Sequence, residues 1–524
     1  MNTRIASLAG VALVATAVAL ALHAPSAQGQ AAAKLAPAGG RCTALAQTLQ
    51  LPQVTITSAE EVAAGALRLP GNGMGPPMDV SKLPAFCRIA ATAKPTADSD
   101  IRFEVWMPLN GWNGKYVGGG NGVWAGSIAY GDMVGPLSRG YATAASDVGH
   151  QGSPLDGTFL VGHPEKLIDF GHRAVHETAT AAKATIAAFY GQTPSRSLYA
   201  SCSTGGRIGL MEAYRYPEDY DGISAMAPAN PMVPLMVMSV WSGAVTMKDE
   251  ASRVPPPKLA MVGKAAMAAC DANDGVSDGI ISNPPACKFD PAVLQCKAGD
   301  AADCLTAPQL TALRAVYDGP RNPRTGARIY PGLSVGSEAQ MPVLTVGNEP
   351  FPVATTFFKG PVLGNAAWDF RTMDYDRDTQ RALAYGSDAL DIPATGLKRF
   401  FAGNRKLLLS HGWADGLIPA QSTVDFHAAV AKDIGPKNAA QGLRLFMAPG
   451  MAHCSGGSGP SNIDMLGELD RWVETGKAPE RIIASNQPGQ AARSRPLCAY
   501  PQVAVYNGKG STDDAASFQC KVRP

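Results

Sequence analysis

Strand and helix alternate along this chain from about Arg102, and that alternation restricts the fold more than any other feature. The stretch "IRFEVWMPL" alternates like a strand, "KYVGGGNG" is a strand running into a glycine-rich loop, and "GYATAASDVG" is a further buried strand. Next, "LIDFGHRAVHETATAAKATIAAFYG" is a long amphipathic helix closed by Gly191. A short strand at residues 198–200 ends in a turn, a helix follows from about Arg207 to Tyr216, and "YDGISAMAPA" is the next strand. Alternation of this kind predicts an α/β fold with a mostly parallel sheet and crossover helices.

After about Asn230 the rhythm breaks. Residues 230–397 are rich in Pro, Gly, Asp and Cys and hold few clean strands. Alternation returns at "RKLLLSHGWADGLIP", then an amphipathic helix, then "LRLFMAPGMAHCSGG". The economical reading is one α/β domain in two parts, residues 31–229 and 398–524, interrupted by an inserted domain. Insertions enter the loops above such a sheet, where ligands bind. The tail after about Pro479 reads as irregular, with Cys498 and Cys520 available to staple it.

The first thirty residues read as a secretory leader. Arg4 precedes an apolar run from Ile5 to about Leu22, and small residues between Ala27 and Ala33 suit a signal peptidase. A retained membrane anchor is the alternative, and no later segment is apolar for long enough to span a bilayer. Export fits the cysteines. There are ten, an even number, and none forms a C-x-x-C pair, so bridges are expected and a zinc ribbon is not. The net charge of +2, with no Lys/Arg run, points away from nucleic acid and acidic membranes as partners.

"SLYASCSTGG" places a serine on a strand-to-helix turn, which is how hydrolases expose a nucleophile. Ser203 is that candidate, although Ser201 stands where the usual G-x-S-x-G pattern has its first glycine. Acyl transfer also needs a base and a carboxylate to orient it. Asp415 follows one later strand and His453 the next, in the order of the α/β-hydrolase fold. Among the other histidines, His172 and His176 fall on the long helix. His411, beside Asp415, competes with His453, which is preferred because it alone follows Asp415 at a strand end. If Ser203 and His453 meet, their neighbours Cys202 and Cys454 must also lie close, within reach of a disulfide. For the oxyanion, the Thr204 N–H is one expected donor. Gly119 or Gly120 of "VGGGNGVWAG" is the other, with Trp124 lining the acyl pocket.

"CSTGG", "HGWADGLIP" and "MAHC" together resemble the tannase and feruloyl esterase family, which also contains mono(2-hydroxyethyl) terephthalate hydrolase. The resemblance runs from about Cys42 to the C-terminus. It implies an α/β-hydrolase fold with a large inserted lid domain, and a Cys202–Cys454 bridge beside the triad. It also implies the pairs Cys42–Cys87, Cys270–Cys287, Cys296–Cys304 and Cys498–Cys520. In "CDANDGVSDGIISNPPACKFD" the spacing alone leaves a solvated acidic turn and a calcium loop equally open, and it is not an EF-hand. The resemblance implies structural calcium there, on the Asp271, Asp274 and Asp278 side chains and the Val276 and Ile280 carbonyls. No organic cofactor is implied.

The family further implies a small aromatic ester as substrate, with galloyl, feruloyl or terephthaloyl acyl groups. Candidate lid aromatics are Phe351, Phe357, Phe358 and Trp368, each equally at home in a core. "GSEAQ" at residues 336–340 resembles a family lid motif, without the tryptophan expected shortly after it. The reading is an exported serine esterase, periplasmic or extracellular. Its rivals are another serine hydrolase, such as a peptidase or polyester depolymerase, and a non-catalytic calcium-stabilised binding protein on a hydrolase scaffold.

Overall fold

The computed structural model describes residues 40–69 and 78–522; the expected leader lies outside them. A nine-stranded sheet forms the centre, built from β1 (Val54–Val62), β2 (Phe86–Ala93), β3 (Ile101–Pro108), β4 (Lys115–Gly118), β5 (Ala142–Ser146), β6 (Arg196–Cys202), β7 (Gly222–Met226), β8 (Lys406–Gly412) and β9 (Leu443–Ala448). Its spatial order is β1-β2-β3-β5-β4-β6-β7-β8-β9. The pairs from β5 through β9 are parallel, while β1, β2, β3 and β5 pair antiparallel. Strands β5 and β8 are buried at every residue, as parallel strands covered by helices on both faces must be.

The long helix reaches Tyr190 and ends at Gly191 with φ 75°, the left-handed cap its glycine predicts. A π-helical turn, Asp169–Arg173, precedes its Ala174–Tyr190 part. The helix Gln421–Gly442 is broken at Gly435 (φ 80°, ψ 162°), just before Pro436. The segment between β7 and β8 is helical and, among the described residues, adds no strand to the sheet. Its Phe357, Phe358 and Trp368 join the same hydrophobic cluster as the sheet residues Tyr199, Ile223 and Leu409. The insertion therefore shares the main core.

The tail is more regular than its sequence suggests. Arg481–Ser485 pairs with Ser494–Cys498, and Gln502–Tyr506 with Phe518–Val522, in two antiparallel hairpins. All ten cysteines are bridged: Cys42–Cys87, Cys202–Cys454, Cys270–Cys287, Cys296–Cys304 and Cys498–Cys520. No helix among the described residues is long and apolar enough to cross a membrane.

Candidate active site

Sheet register decides which loops can meet. Cys202 of β6 stands opposite Met226 of β7, Met226 opposite Ser410 of β8, and Gly412 of β8 opposite Ala448 of β9. The carboxyl ends of these strands therefore line up, and the residues that follow them gather at one edge. Ser203 follows β6 directly and caps the helix Thr204–Arg215. Its φ of 64° and ψ of −127° form a strained turn for a side-chain-bearing residue. The turn is held from both sides. The Ser203 N–H donates to Met226 O at 2.9 Å, and the Ser203 carbonyl accepts from the N–H groups of Arg207 at 3.0 Å and Ala229 at 3.1 Å. Gly205 is required by crowding, since a Cβ there would lie 1.9 Å from Ser201 Oγ. Arg207, fully buried, ties this helix to the π-helical turn: its Nη1 donates to Gly171 O at 2.9 Å.

Asp415 is buried, and four donors occupy its carboxylate. Oδ1 accepts the Leu417 and Ile418 N–H groups at 2.8 and 2.9 Å. Oδ2 accepts from His453 Nδ1 at 2.7 Å and His411 Nε2 at 3.1 Å. Burial alone would raise the Asp415 pKa. The charge of His453 and the two histidine hydrogen bonds outweigh it and hold the carboxyl well below the usual range. For His453, burial pulls down and Asp415 pulls up more strongly, so its pKa lies above the ordinary 6.5. With Nδ1–H given to Asp415, Nε2 is left as an acceptor, and the side chain is 25% exposed.

His411 is the histidine that competes with the preferred His453 in the sequence. It is fully buried, bonded through Nδ1 to Thr423 Oγ1 at 2.7 Å and through Nε2 to Asp415 and to Ile418 O at 3.1 Å. With no exposed edge it cannot meet a substrate, and its contact is with Asp415. The only signal for this contact was the four-residue spacing between the two.

The Cys202–Cys454 disulfide, with its Cα atoms 6.0 Å apart, ties the residue before Ser203 to the residue after His453. Among the described residues Ser203 Oγ accepts and donates no hydrogen bond, so the bridge, rather than a bond to His453, brings the two loops together. Cys454 itself has φ 62°, so both bridged loops carry a left-handed residue at the crosslink.

Both glycines named as oxyanion donors need correcting. The Gly119 N–H is spent on Ala144 O and the Gly120 N–H on Asp132 Oδ2, each at 3.0 Å. The next two N–H groups, of Asn121 and Gly122, have no acceptor among the described residues. The loop that carries them is pinned by Asn121 Nδ2 to Ser146 O at 2.6 Å and by Thr204 Oγ1 to Val123 O at 3.0 Å. Val123 (φ 48°) and Ala125 (φ 65°) take strained conformations in it. Trp124 does not line an open pocket. It is fully buried, and its Nε1–H donates to Val353 O of the insertion at 2.9 Å.

Comparison with known proteins identifies the family. A family model described as tannase and feruloyl esterase matches residues 87–521. The chain belongs to this family. It is 37% identical to an uncharacterised esterase of Xanthomonas campestris, over 91% of this chain and 90% of that one. It is 32% identical to mono(2-hydroxyethyl) terephthalate hydrolase of Piscinibacter sakaiensis, over 84% of this chain and 86% of the relative. The crystal structure of feruloyl esterase B from Aspergillus oryzae superimposes with a TM-score of 0.86 at 27% identity, covering 92% of this chain and all of that one. As a tannase and feruloyl esterase family member, the chain is a carboxylic ester hydrolase with the α/β-hydrolase fold.

Around this esterase's site, the insertion touches the acid's loop directly. A Cβ on Gly416 would lie 2.4 Å from the Gln340 backbone, so "GSEAQ" packs against the residue after Asp415. Glu338 of the same motif turns away, accepting from Tyr317 Oη at 2.7 Å and the Gly336 N–H at 2.9 Å. Of the candidate lid aromatics, Phe357, Phe358 and Trp368 are buried in the core and only Phe351 keeps some exposure. A cavity of about 660 Å³ between Tyr330, Asp391 and Phe426 contains none of Ser203, Asp415 and His453.

The acidic loop carries donors of the kind calcium takes, and the carboxylates of Asp271 and Asp278 add to burial in raising the Asp274 pKa. They are not drawn together as a cage. Asp271 accepts the Asp278, Gly279 and Ile280 N–H groups, and Asp278 pairs with Arg495. No group of three or more His, Cys, Asp or Glu side chains is placed to hold a metal among the described residues. Val276 and Ile280 lie in the same turn, after the short helix Asp271–Asp274.

Proposed function

We propose that this esterase is exported and hydrolyses esters of aromatic acids through Ser203, His453 and Asp415. The observation that carries the proposal is the Asp415–His453 hydrogen bond, with the His453 loop bridged covalently to the Ser203 turn. Ser203 Oγ attacks the ester carbonyl while His453 Nε2 takes its proton. Asp415 stabilises the imidazolium, and the N–H of Thr204 with that of Asn121 or Gly122 receives the oxyanion. The alcohol leaves with the proton from His453. Water, deprotonated by His453, then cleaves the acyl-enzyme and frees the acid. Five disulfides suit an oxidising compartment. The aromatic acyl preference rests on relatives named for feruloyl and terephthaloyl esters.

The residues 230–397 are proposed as the lid that selects the acid, through the contact of Gln340 with Gly416. The acidic loop is proposed as a structural calcium site on Asp271, Asp274 and Asp278, with Arg495 as the partner Asp278 exchanges. The test of function is turnover of methyl ferulate, methyl gallate, mono(2-hydroxyethyl) terephthalate and a peptide anilide by the purified mature chain. The expected result is cleavage of one or more aromatic esters and none of the anilide. Cleavage of the anilide alone would sink the proposal.

A further inference from the structure

A carboxylate that the ester chemistry does not use sits beneath the glycine-rich loop. Asp132 lies in the first turn of the helix Gly131–Ser138. Its Oδ2 accepts two hydrogen bonds, from the Gly120 N–H at 3.0 Å and from the Ser201 hydroxyl at 2.6 Å. Ser201 is buried on β6, opposite Ala225 and two residues before Ser203. This is the position where the nucleophile elbow ordinarily has glycine. Its hydroxyl fills the junction of three elements: a Cβ on Gly205 would lie 1.9 Å from Ser201 Oγ, and one on Gly120 2.9 Å from it. Tyr199, on the same strand, closes the junction from below, its hydroxyl donating to Gly205 O at 2.8 Å. No cation pairs with Asp132 among the described residues, and burial pushes its pKa up to about 6. An ionised carboxylate without a cation lowers stability, so its placement calls for another explanation.

We propose that Asp132 and Ser201 are positioning residues for the oxyanion hole. One carboxylate oxygen joins the loop that bears the free Asn121 and Gly122 N–H groups to the strand that bears Ser203. It thereby sets the distance from those donors to the Thr204 N–H. This rests on the reading of Ser203 as the nucleophile. Oxyanion donors must lie about 2.7–3.1 Å from the charge that develops. Without the shared acceptor, Gly120 is released at the residue adjoining those donors, and only the Asn121 and Val123 anchors remain. The loss falls on the transition state rather than on bound substrate, so kcat drops and KM does not.

The experiment measures kcat and KM for 4-nitrophenyl acetate, with melting temperature, for the wild-type chain, Ser201→Ala, Ser201→Gly, Asp132→Asn and Asp132→Ala. The expected kcat loss is about a hundredfold for Asp132→Ala, the lower end of what deleting one oxyanion donor costs. It is about tenfold for either Ser201 variant, which leaves the Gly120 bond in place. KM stays within about twofold throughout. Asp132→Asn, whose amide oxygen still accepts one bond, retains more activity than Asp132→Ala. Asp132→Ala also melts lower, because it leaves the buried Gly120 N–H and Ser201 hydroxyl without their acceptor, so kcat of the folded enzyme is the deciding readout. A purely structural role would lower the melting temperature and leave kcat of the folded protein intact. Wild-type kcat in both Ser201 variants overturns the proposal, and decides the matter even if Asp132→Ala fails to fold. An inert wild-type chain, or an undiminished Ser203→Ala, would instead overturn the esterase mechanism beneath it.

Discussion

Two disulfide-tied loops of this esterase invite comparison. Cys202–Cys454 spans 252 residues and joins the end of β6 to the loop after β9, whereas Cys270–Cys287 spans 17 and closes one turn on itself. In the first, the polar groups are far apart in sequence and each follows its own strand: Ser203 follows β6, Asp415 follows β8 and His453 follows β9. In the second, Asp271 and Asp274 spend hydrogen bonds on N–H groups of their own turn. Register across a sheet brings unlike side chains to one point and leaves them free to react. The short turn satisfies most of these carboxylate contacts locally and reaches out through the Asp278–Arg495 pair.

The sharpest way to break this contrast is to remove the proposed nucleophile. Ser203→Ala should lose about 10⁵- to 10⁶-fold in kcat, measured with any ester the wild type turns over, with the fold unchanged by circular dichroism. Asp415→Asn should cost about 10⁴-fold. It should also move the pH profile. His453 must be neutral to accept the serine proton, so activity rises with pH through its pKa. Asp415 holds that limb of kcat/KM above 6.5, and removing the charge leaves burial to pull it below. A limb that stays in place would show that Asp415 does not act on His453.

The two bridges can be compared directly by denaturant unfolding. In the chain-entropy model, opening Cys202–Cys454 by a double Cys→Ala change costs about 5 kcal/mol, and opening Cys270–Cys287 about 3 kcal/mol. Only the first should also lower kcat. Equal losses of activity would erase the distinction between the loops. The smallest expected effect is that of calcium. Chelation should lower the melting temperature by a few degrees and spare kcat at 25 °C, and Asp278→Asn should abolish that shift. A chelator that changes nothing would leave the Asp278–Arg495 pair as the resting arrangement of the turn.

The Asp415–His453 bond and the Cys202–Cys454 bridge could be anticipated in the sequence because these residues follow strands with strong apolar signals, such as "KLLLS" before Asp415 and "LRLFMA" before His453. The oxyanion donors could not. Gly119 and Gly120 have the right residue type, but their N–H groups are claimed by Ala144 and Asp132, partners that sequence spacing does not reveal. The preference for His453 over His411 came from chain order, but the buried bond of His411 to Asp415 escaped for a similar reason, since burial is a property of packing. Trp124 was misplaced because an aromatic beside a glycine loop serves a pocket or a core equally well, and Val353 of the insertion decides for the core. The tail hairpins were missed because strands of five residues among Pro, Gly and Ser give too little alternation to register.

The long bridge also sets an order of events. A ribosome has made the nucleophile's turn long before it reaches the partner sulfur, and in a reducing cytosol the two would stay apart even then. Ser203 thus gains its crosslinked neighbour only after Cys454 has been made and an oxidant is at hand. If the chain is exported as proposed, that delay keeps its fully assembled form away from the esters of the cell that produces it.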